Sequence, residues 1–482
     1  MMNAITNIVS YLPYLFAWFL LGYMGIVVLV YTGMLLLSVV QLKREQKLNK
    51  QEVYDDYLEL TYTKPVSILV PAYNEETGII ETVRSLLSLK YPQTEIVVVN
   101  DGSTDQTLEV IIEHFQMVKV GKVIRKQIET EPIKGVYQST IFPHLLLVDK
   151  SNGGKADALN AGLNVSKYPY FCSIDGDSIL ETDALLKVMK PIVTSRDDED
   201  EVIASGGNVR IANGSDIQMG SVLSVQLAKN PLVVMQVIEY LRAFLMGRIG
   251  LSRHNMVLII SGAFSVFAKK WVMEAGGYSK KTVGEDMELV VRLHRLVKEK
   301  RLKKRITFVP DPVCWTEAPA TFRVLQRQRS RWHRGLMESL WLHRGMTFNP
   351  KYGLVGTASI PYFWIVEFFG PVVELMGYLY IVFAFFFGGL YVEFALALFL
   401  LFVLYGTVFS MTAVILEGWS LKRYPKVSDM SRLMIFSLFE ALWYRPLTVL
   451  WRFGAIIEAL FRSKAWGEMT RKGLTKAEQK AS

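Results

Sequence analysis

The sequence predicts a membrane-anchored α/β protein: a soluble domain built on a largely parallel sheet, held between apolar helices. Three observations carry this prediction. Uncharged runs long enough to cross a bilayer lie near both ends of the 482-residue chain. Between them, short β-branched runs alternate with stretches of helical periodicity. Acidic residues recur where the β-branched runs stop.

The apolar elements come first. Residues 14–40, "YLFAWFLLGYMGIVVLVYTGMLLLSVV", carry no charge and exceed the roughly 20 residues that a spanning helix needs. The run is too long for the apolar core of a signal peptide and lacks a small-residue cleavage pattern, so it is expected to remain in the protein. The basic "QLKREQKLNK" that follows places that side in the cytoplasm and the N-terminus outside. Residues 362–388 and 391–417, followed by "LKRYPK", read as a transmembrane hairpin returning to the cytoplasmic side. The segment 431–461 holds Glu440, Arg445, Arg452 and Glu458, is interrupted by Pro446 and precedes a basic tail. A kinked helix pair in the cytoplasmic leaflet is preferred there, with a fourth span as the alternative. The resulting division is 1–45 for the first membrane helix, 60–345 for the soluble domain, 346–420 for an interfacial segment and hairpin, and 421–482 for interfacial or re-entrant helices and tail.

Charge and cysteine use narrow the class. The net charge of +9 does not point to nucleic acid, because the basic runs flank apolar segments and carboxylates sit at the strand ends. "RDDEDE" (196–201) and "KEKRLKKR" (298–305) read as solvated faces, the second also suited to anionic lipid. Cys172 and Cys314 give no metal spacing and no disulfide framework, and read as small buried thiols.

The soluble domain opens with "VSILVPAYNEE", then a helical stretch, then "TEIVVVNDGSTDQT". Ligands bind beyond the carboxyl ends of the strands in sheets of this type, which singles out Tyr73, Asn74, Glu75, Asp101, Asp175 and Asp177. There is no G-x-x-x-x-G-K-[ST] and no convincing G-x-G-x-x-G, so a P-loop is excluded and a dinucleotide site is not expected. In "KSNGGKADALNAGL" (150–163) the glycines, helix start and Lys155 suit either a phosphate site or a helix-starting turn with an exposed lysine. In "YFCSIDGDSIL" (170–180), Asp175 and Asp177 flank Gly176. At ~5 Å and an effective dielectric of ~20 their charges repel by roughly 3 kcal/mol, so a cation, a basic side chain or solvent must compensate.

Together, "PAYNEE", "NDGSTD", "GGKADALNAG", "DGD", "VGEDMELVVRL" (283–293) and "QRQRSRWHRG" (326–335) resemble the family 2 glycosyltransferases of the GT-A fold. With flanking membrane helices the chain resembles the processive polysaccharide synthases that make cellulose, hyaluronan or poly-N-acetylglucosamine. The resemblance covers about residues 64–345 by motif and the remainder by topology. It implies an α/β GT-A cytoplasmic domain, with flanking transmembrane and interfacial helices, in the inner (plasma) membrane.

It also implies roles. Asp177 becomes the direct ligand of Mg²⁺ or Mn²⁺, and Asp175 the neighbour of the ribose and the metal. Tyr73, Glu75 and Asp101 belong to the nucleotide pocket, Tyr73 stacking on uracil and Asp101 accepting from its N–H. Lys155 binds the diphosphate. Asp286 is the catalytic base and Glu285 orients the site. Gln328, Arg331 and Trp332 line the active site, Trp332 stacking on the acceptor sugar, and Gly262 in "SGAF" shapes the acceptor side. The expected activity is inverting, processive polymerisation of a β-linked glycan from a UDP-sugar, with UDP-N-acetylglucosamine first and UDP-glucose second, and export through the chain's own helices. Single-sugar transfer to a lipid carrier, or an inactive channel or scaffold subunit, are the alternatives. The expected partners are the donor, the growing glycan, membrane lipid and accessory export or regulatory subunits. Control by a cyclic dinucleotide would need such a partner chain. The segment 116–150 and the tail "WGEMTRKG" depart from the poly-N-acetylglucosamine group. Glu367 and Glu374, inside a predicted span, call for a hydrated glycan channel or for Arg445 and Arg452 as partners.

Overall fold

A computed structural model describes residues 2–49, 63–195, 200–387, 392–421, 423–424 and 426–461. The acidic run at 196–199 and the basic tail lie outside the described residues. The soluble domain is organised by twelve strands: β1 (Val66–Ala72), β2 (Thr94–Asp101), β3 (Met117–Val120), β4 (Ile133–Ser139), β5 (Leu145–Lys150), β6 (Tyr170–Ile174), β7 (Ile179–Leu180), β8 (Glu201–Ile211), β9 (Asp216–Gln218), β10 (Ser221–Ser224), β11 (Phe264–Ala268) and β12 (Lys304–Thr316). Ten of them form one sheet in the order β3-β4-β5-β2-β1-β6-β11-β8-β12-β7, and β9 pairs with β10 in a separate ribbon.

The expected parallel core is present as β5-β2-β1-β6. Its strands are apolar without alternation because helices cover both faces, so Val66, Ile68, Leu69 and Val70 are all buried. The sheet as a whole is mixed and not largely parallel. β11 enters antiparallel between β6 and β8, and β3 and β4 extend the far edge antiparallel. The departing segment 116–150 therefore supplies β3, β4 and β5, an edge hairpin and a core strand. Both cysteines are buried and free, as expected.

Four described helical runs are long and apolar enough to cross a membrane: Tyr14–Arg44, Val355–Phe383, Val392–Ser420 and Val427–Phe461. The last, read from the sequence as a kinked pair with a fourth span as the alternative, is one helical run of 35 residues with a π turn inside it. The reason is local. Residues Glu440–Tyr444 form a π turn in which the Arg445 N–H reaches back to Glu440 O, so the missing Pro446 N–H falls where the ladder is already re-registered.

Four glutamates inside these helices, Glu367, Glu374, Glu417 and Glu440, are ion-paired. Arg445 donates two hydrogen bonds to Glu374, at 2.9 and 2.7 Å. Arg452 donates to the Glu367 carbonyl at 2.6 Å and stands 3.7 Å from its carboxylate, which also accepts from Tyr362 at 2.6 Å. Arg242 meets Glu440 at 2.7 Å, and Arg210 pairs with Glu417. Partnering by arginine thus accounts for Glu367 and Glu374.

The first helix docks on the soluble domain. Its Ser38 donates to Met246 O at 2.8 Å, and a side chain at Gly250 would come within 2.9 Å of Met34 O.

Candidate active site

A cleft of about 580 Å³ opens at the carboxyl end of β6, walled by the turns after β6 and β12 and by helices 231–248, 285–299 and 322–342. Lys155, Asp175, Asp177, Gly262, Glu285, Asp286, Gln328, Arg331 and Trp332 all line it. These residues span nearly 180 positions of sequence, and only the sheet topology brings them together.

The D-x-D turn leaves β6 directly. Ser178 N closes it on Asp175 O at 3.1 Å, and Gly176 O accepts from Thr82 at 2.9 Å. Asp175 receives Lys155 Nζ at 2.6 Å, and the same lysine stands 3.4 Å from Glu285. A basic side chain therefore provides part of the compensation that the paired aspartates require. Burial works against the Lys155 charge, but Asp175, Glu285 and Asp286 outweigh it and hold its pKa above that of an ordinary lysine. Burial raises the Glu285 carboxyl above the usual range; Asp286 adds to this and Lys155 opposes it.

Glu285 and Asp286 begin the helix Glu285–Glu299, where acidic side chains favour the dipole. Asp286 Oδ2 accepts from Gly262 N at 3.2 Å and Oδ1 from Met287 N at 2.8 Å. A Cβ at Gly262 would lie 3.1 Å from Lys155 Nζ and 3.3 Å from Asp286 Oδ2, so glycine keeps these two groups accessible to each other across "SGAF". The helix Phe322–Leu342, which carries Gln328, Arg331 and Trp332, is fixed to the same place by a backbone contact. A Cβ at Gly335 would meet Gly284 Cα at 2.8 Å, and one at Gly284 would meet Gly335 Cα at 2.9 Å. Val283 N also donates to Glu338 at 2.9 Å.

Three predicted residues are not brought into the cleft. Tyr73 lies on the surface, 45% exposed. Glu75 sits behind Gly176, its Cγ 3.4 Å from where a Cβ would be. Asp101 is buried and accepts hydrogen bonds on both carboxylate oxygens. Its Oδ1 accepts from Lys150 at 2.5 Å and Gly153 N at 3.0 Å, and its Oδ2 from Gly154 N at 2.7 Å. The two glycine amides thus serve Asp101, and "GGK" is a helix-starting turn whose lysine faces the cleft. Lys150 also meets Asp157 at 2.7 Å, which ties that turn to the following helix.

The sequence reading missed Glu239, Tyr240 and Arg248, which also line the cleft. They lie in "IEYLRAFLMGR", whose only signal was a charge pair in an apolar helix. Arg329 binds Glu239 at 2.6 Å and its guanidinium lies 4.3 Å from the Trp332 ring. Tyr240 and Trp332 have ring centroids 6.3 Å apart.

The donor set suits a divalent cation that shares its shell with phosphate and water. Asp175 and Asp177 present carboxylates to the cleft, and among the described residues no three His, Cys, Asp or Glu side chains converge on one point. A platform of one or two carboxylates is the usual protein contribution to such a Mg²⁺ site.

Comparison with known proteins gives the class first. The family described as Glycosyl transferase family group 2 matches residues 172–421, more than half of the chain, and Glycosyl transferase family 2 matches residues 67–213. The chain belongs to the family 2 glycosyltransferases. Its relatives include the poly-beta-1,6-N-acetyl-D-glucosamine synthase of Staphylococcus epidermidis, 29% identical over 57% of this chain and 56% of that one. The enzyme of the same name from Staphylococcus aureus (strain COL) is 29% identical over 62% of each chain. The chain thus spans little more than half the length of these curated relatives. A mannosyltransferase from Pyrobaculum calidifontis, solved with GDP-Man and Mn²⁺, shares the fold: TM-score 0.50, 18% identity, 88% of this chain and 99% of that one. The fold is GT-A-like.

Proposed function

We propose that this protein is a membrane-embedded, inverting, processive glycosyltransferase that extends a β-linked glycan from a UDP-sugar and passes it out through its own helices. UDP-N-acetylglucosamine is the favoured donor and UDP-glucose the next. One observation carries the reading: nine motif residues from distant parts of the chain line a single cleft, whose wall residue Glu239 is hydrogen-bonded to Tyr444 of the last apolar run. The relatives named above support the choice of sugar.

Asp286 takes the proton from the acceptor hydroxyl. The acceptor oxygen bonds to the anomeric carbon as the bond from that carbon to the diphosphate oxygen breaks, so an α-linked donor gives a β-linkage and UDP leaves. Lys155 and Arg331 face the leaving diphosphate, and Tyr73 offers an exposed ring beside the D-x-D turn for the base. Asp177, with Asp175 beside it, would hold Mg²⁺ or Mn²⁺, which supplies charge neutralisation for the diphosphate. Trp332 stacks on the acceptor sugar, and the basic helix that carries it lies on the cytoplasmic side of the membrane.

The test is a panel of UDP-sugars given to detergent-purified protein with Mg²⁺ or Mn²⁺, followed by product sizing and linkage analysis. Long β-linked polymer from one donor supports the reading. A single sugar on a lipid, or no UDP release from any donor, overturns it.

A further inference from the structure

Arg248 is the arginine of this region that the mechanism above leaves unused. It closes the π-helical stretch Arg242–Arg248, a geometry that often marks functional positions, and it lines the cleft together with Tyr240, Asp286 and Trp332. Arg210, Arg242, Arg329 and Arg445 each meet a glutamate. Arg248 instead stands over Phe244, its guanidinium carbon 4.0 Å from the ring centroid, and its Nη1 is buried with no hydrogen-bond partner among the described residues. Burial lowers its pKa to about 10, and Asp286 is the principal group opposing that fall.

A guanidinium carries five N–H donors, and one desolvated without an acceptor is costly unless a ligand supplies the oxygen. The position selects which ligand. Lys155, Asp175 and Asp177 mark the diphosphate side of the cleft, whereas Arg248 shares its wall with the tilted Tyr240–Trp332 pair, on the acceptor side. The segment is also held firmly, since the first membrane helix packs on it through Ser38 and Gly250.

We propose that Arg248 is a specificity-determining residue of the acceptor subsite. It donates to an oxygen substituent of the acceptor sugar and so aims the attacking hydroxyl at Asp286. An N-acyl carbonyl is the strongest neutral acceptor that such a sugar offers, so N-acetylated acceptors gain most. This inference rests on the glycosyltransferase reading.

The test measures acceptor and donor KM separately for wild type, Arg248→Lys and Arg248→Met, with short β-linked N-acetylglucosamine oligomers and glucose oligomers as acceptors. The expected result is an acceptor KM raised roughly 10- to 100-fold in Arg248→Met, partly restored in Arg248→Lys, with donor KM shifted less than twofold. The larger loss should fall on the N-acetylated oligomer. A rise in donor KM, or unchanged acceptor KM in both variants, overturns it. If Arg248→Met does not fold, Arg248→Lys alone decides: the lysine keeps the charge but not the fork, so an acceptor KM equal to wild type overturns the proposal. Absence of transfer by wild-type protein with every sugar nucleotide would instead refute the glycosyltransferase reading itself.

Discussion

Two groups of carboxylates in this molecule have opposite surroundings. In the helical bundle, Glu367, Glu374, Glu417 and Glu440 each have an arginine, and Glu374 has both oxygens engaged by Arg445. In the cleft, Asp175, Glu285 and Asp286 crowd around Lys155, with Asp177 beyond them. One-to-one pairing neutralises a charge that must stay in an apolar setting and locks helices together. Crowding leaves more carboxylates than bases facing a cavity, a setting that attracts a cation. The motif aspartates are thus distinguished from the membrane glutamates by how their charges are shared, since both kinds are largely buried.

The comparison is tested most severely at Asp286. Asp286→Asn should retain donor binding, read by calorimetry, and lose transfer by about a thousandfold; near-normal turnover would place the base elsewhere. Next is the bundle. Glu374→Ala strands a buried arginine and should cost roughly 3–5 kcal/mol of stability, whereas Glu374→Met combined with Arg445→Leu should recover most of it. Thermal unfolding in detergent reads both, and equal losses in the single and double variants would show that the pair is not a closed unit.

A third, smaller effect concerns His294, on the helix that presents Asp286. It is buried and bonded to Val257 O at 2.9 Å, and burial lowers its pKa to about 4. The folded state therefore holds this ring neutral while the unfolded chain takes up a proton near pH 6.5. The stability is complete above that pH and is lost as pH falls from about 6.5 towards 4, by roughly 2 kcal/mol at pH 5. Unfolding measured at pH 7.5 and pH 5 should show the loss in wild type and a flatter profile in His294→Gln. Of similar size is the effect of the glycine contact. Gly335→Ala should separate the helix of Trp332 from that of Asp286 at a cost of about 1–3 kcal/mol. It should lower kcat more than it raises donor KM, as single-turnover kinetics would show.

Much of this was legible in the sequence because the chemistry needs fixed residue types at fixed local spacings. D-x-D, G-E-D and Q-x-x-R-W announce themselves within a few positions, and the structure brings all three to one cleft. The β1 and β2 runs were readable from their unbroken apolar character. What escaped depends on distant partners. The antiparallel entry of β11 beside β6 has no local signature. The bond between Asp101 and Lys150, on the neighbouring strand β5, has none either. Arg248 and Tyr240 lie in an apolar helix and gain meaning only from facing Asp286 and Trp332. The continuity of 427–461 was hidden by Pro446, because a π turn cannot be read from composition.

Glu239 joins parts of the molecule that a sequence reader would assign to different compartments. It stands in the cleft wall and accepts hydrogen bonds from Arg329, on the basic helix, and from Tyr444, within the last apolar run. Arg329 in turn lies against Trp332. The last apolar run is therefore joined by two hydrogen bonds on one carboxylate to the wall of the cleft that carries Trp332.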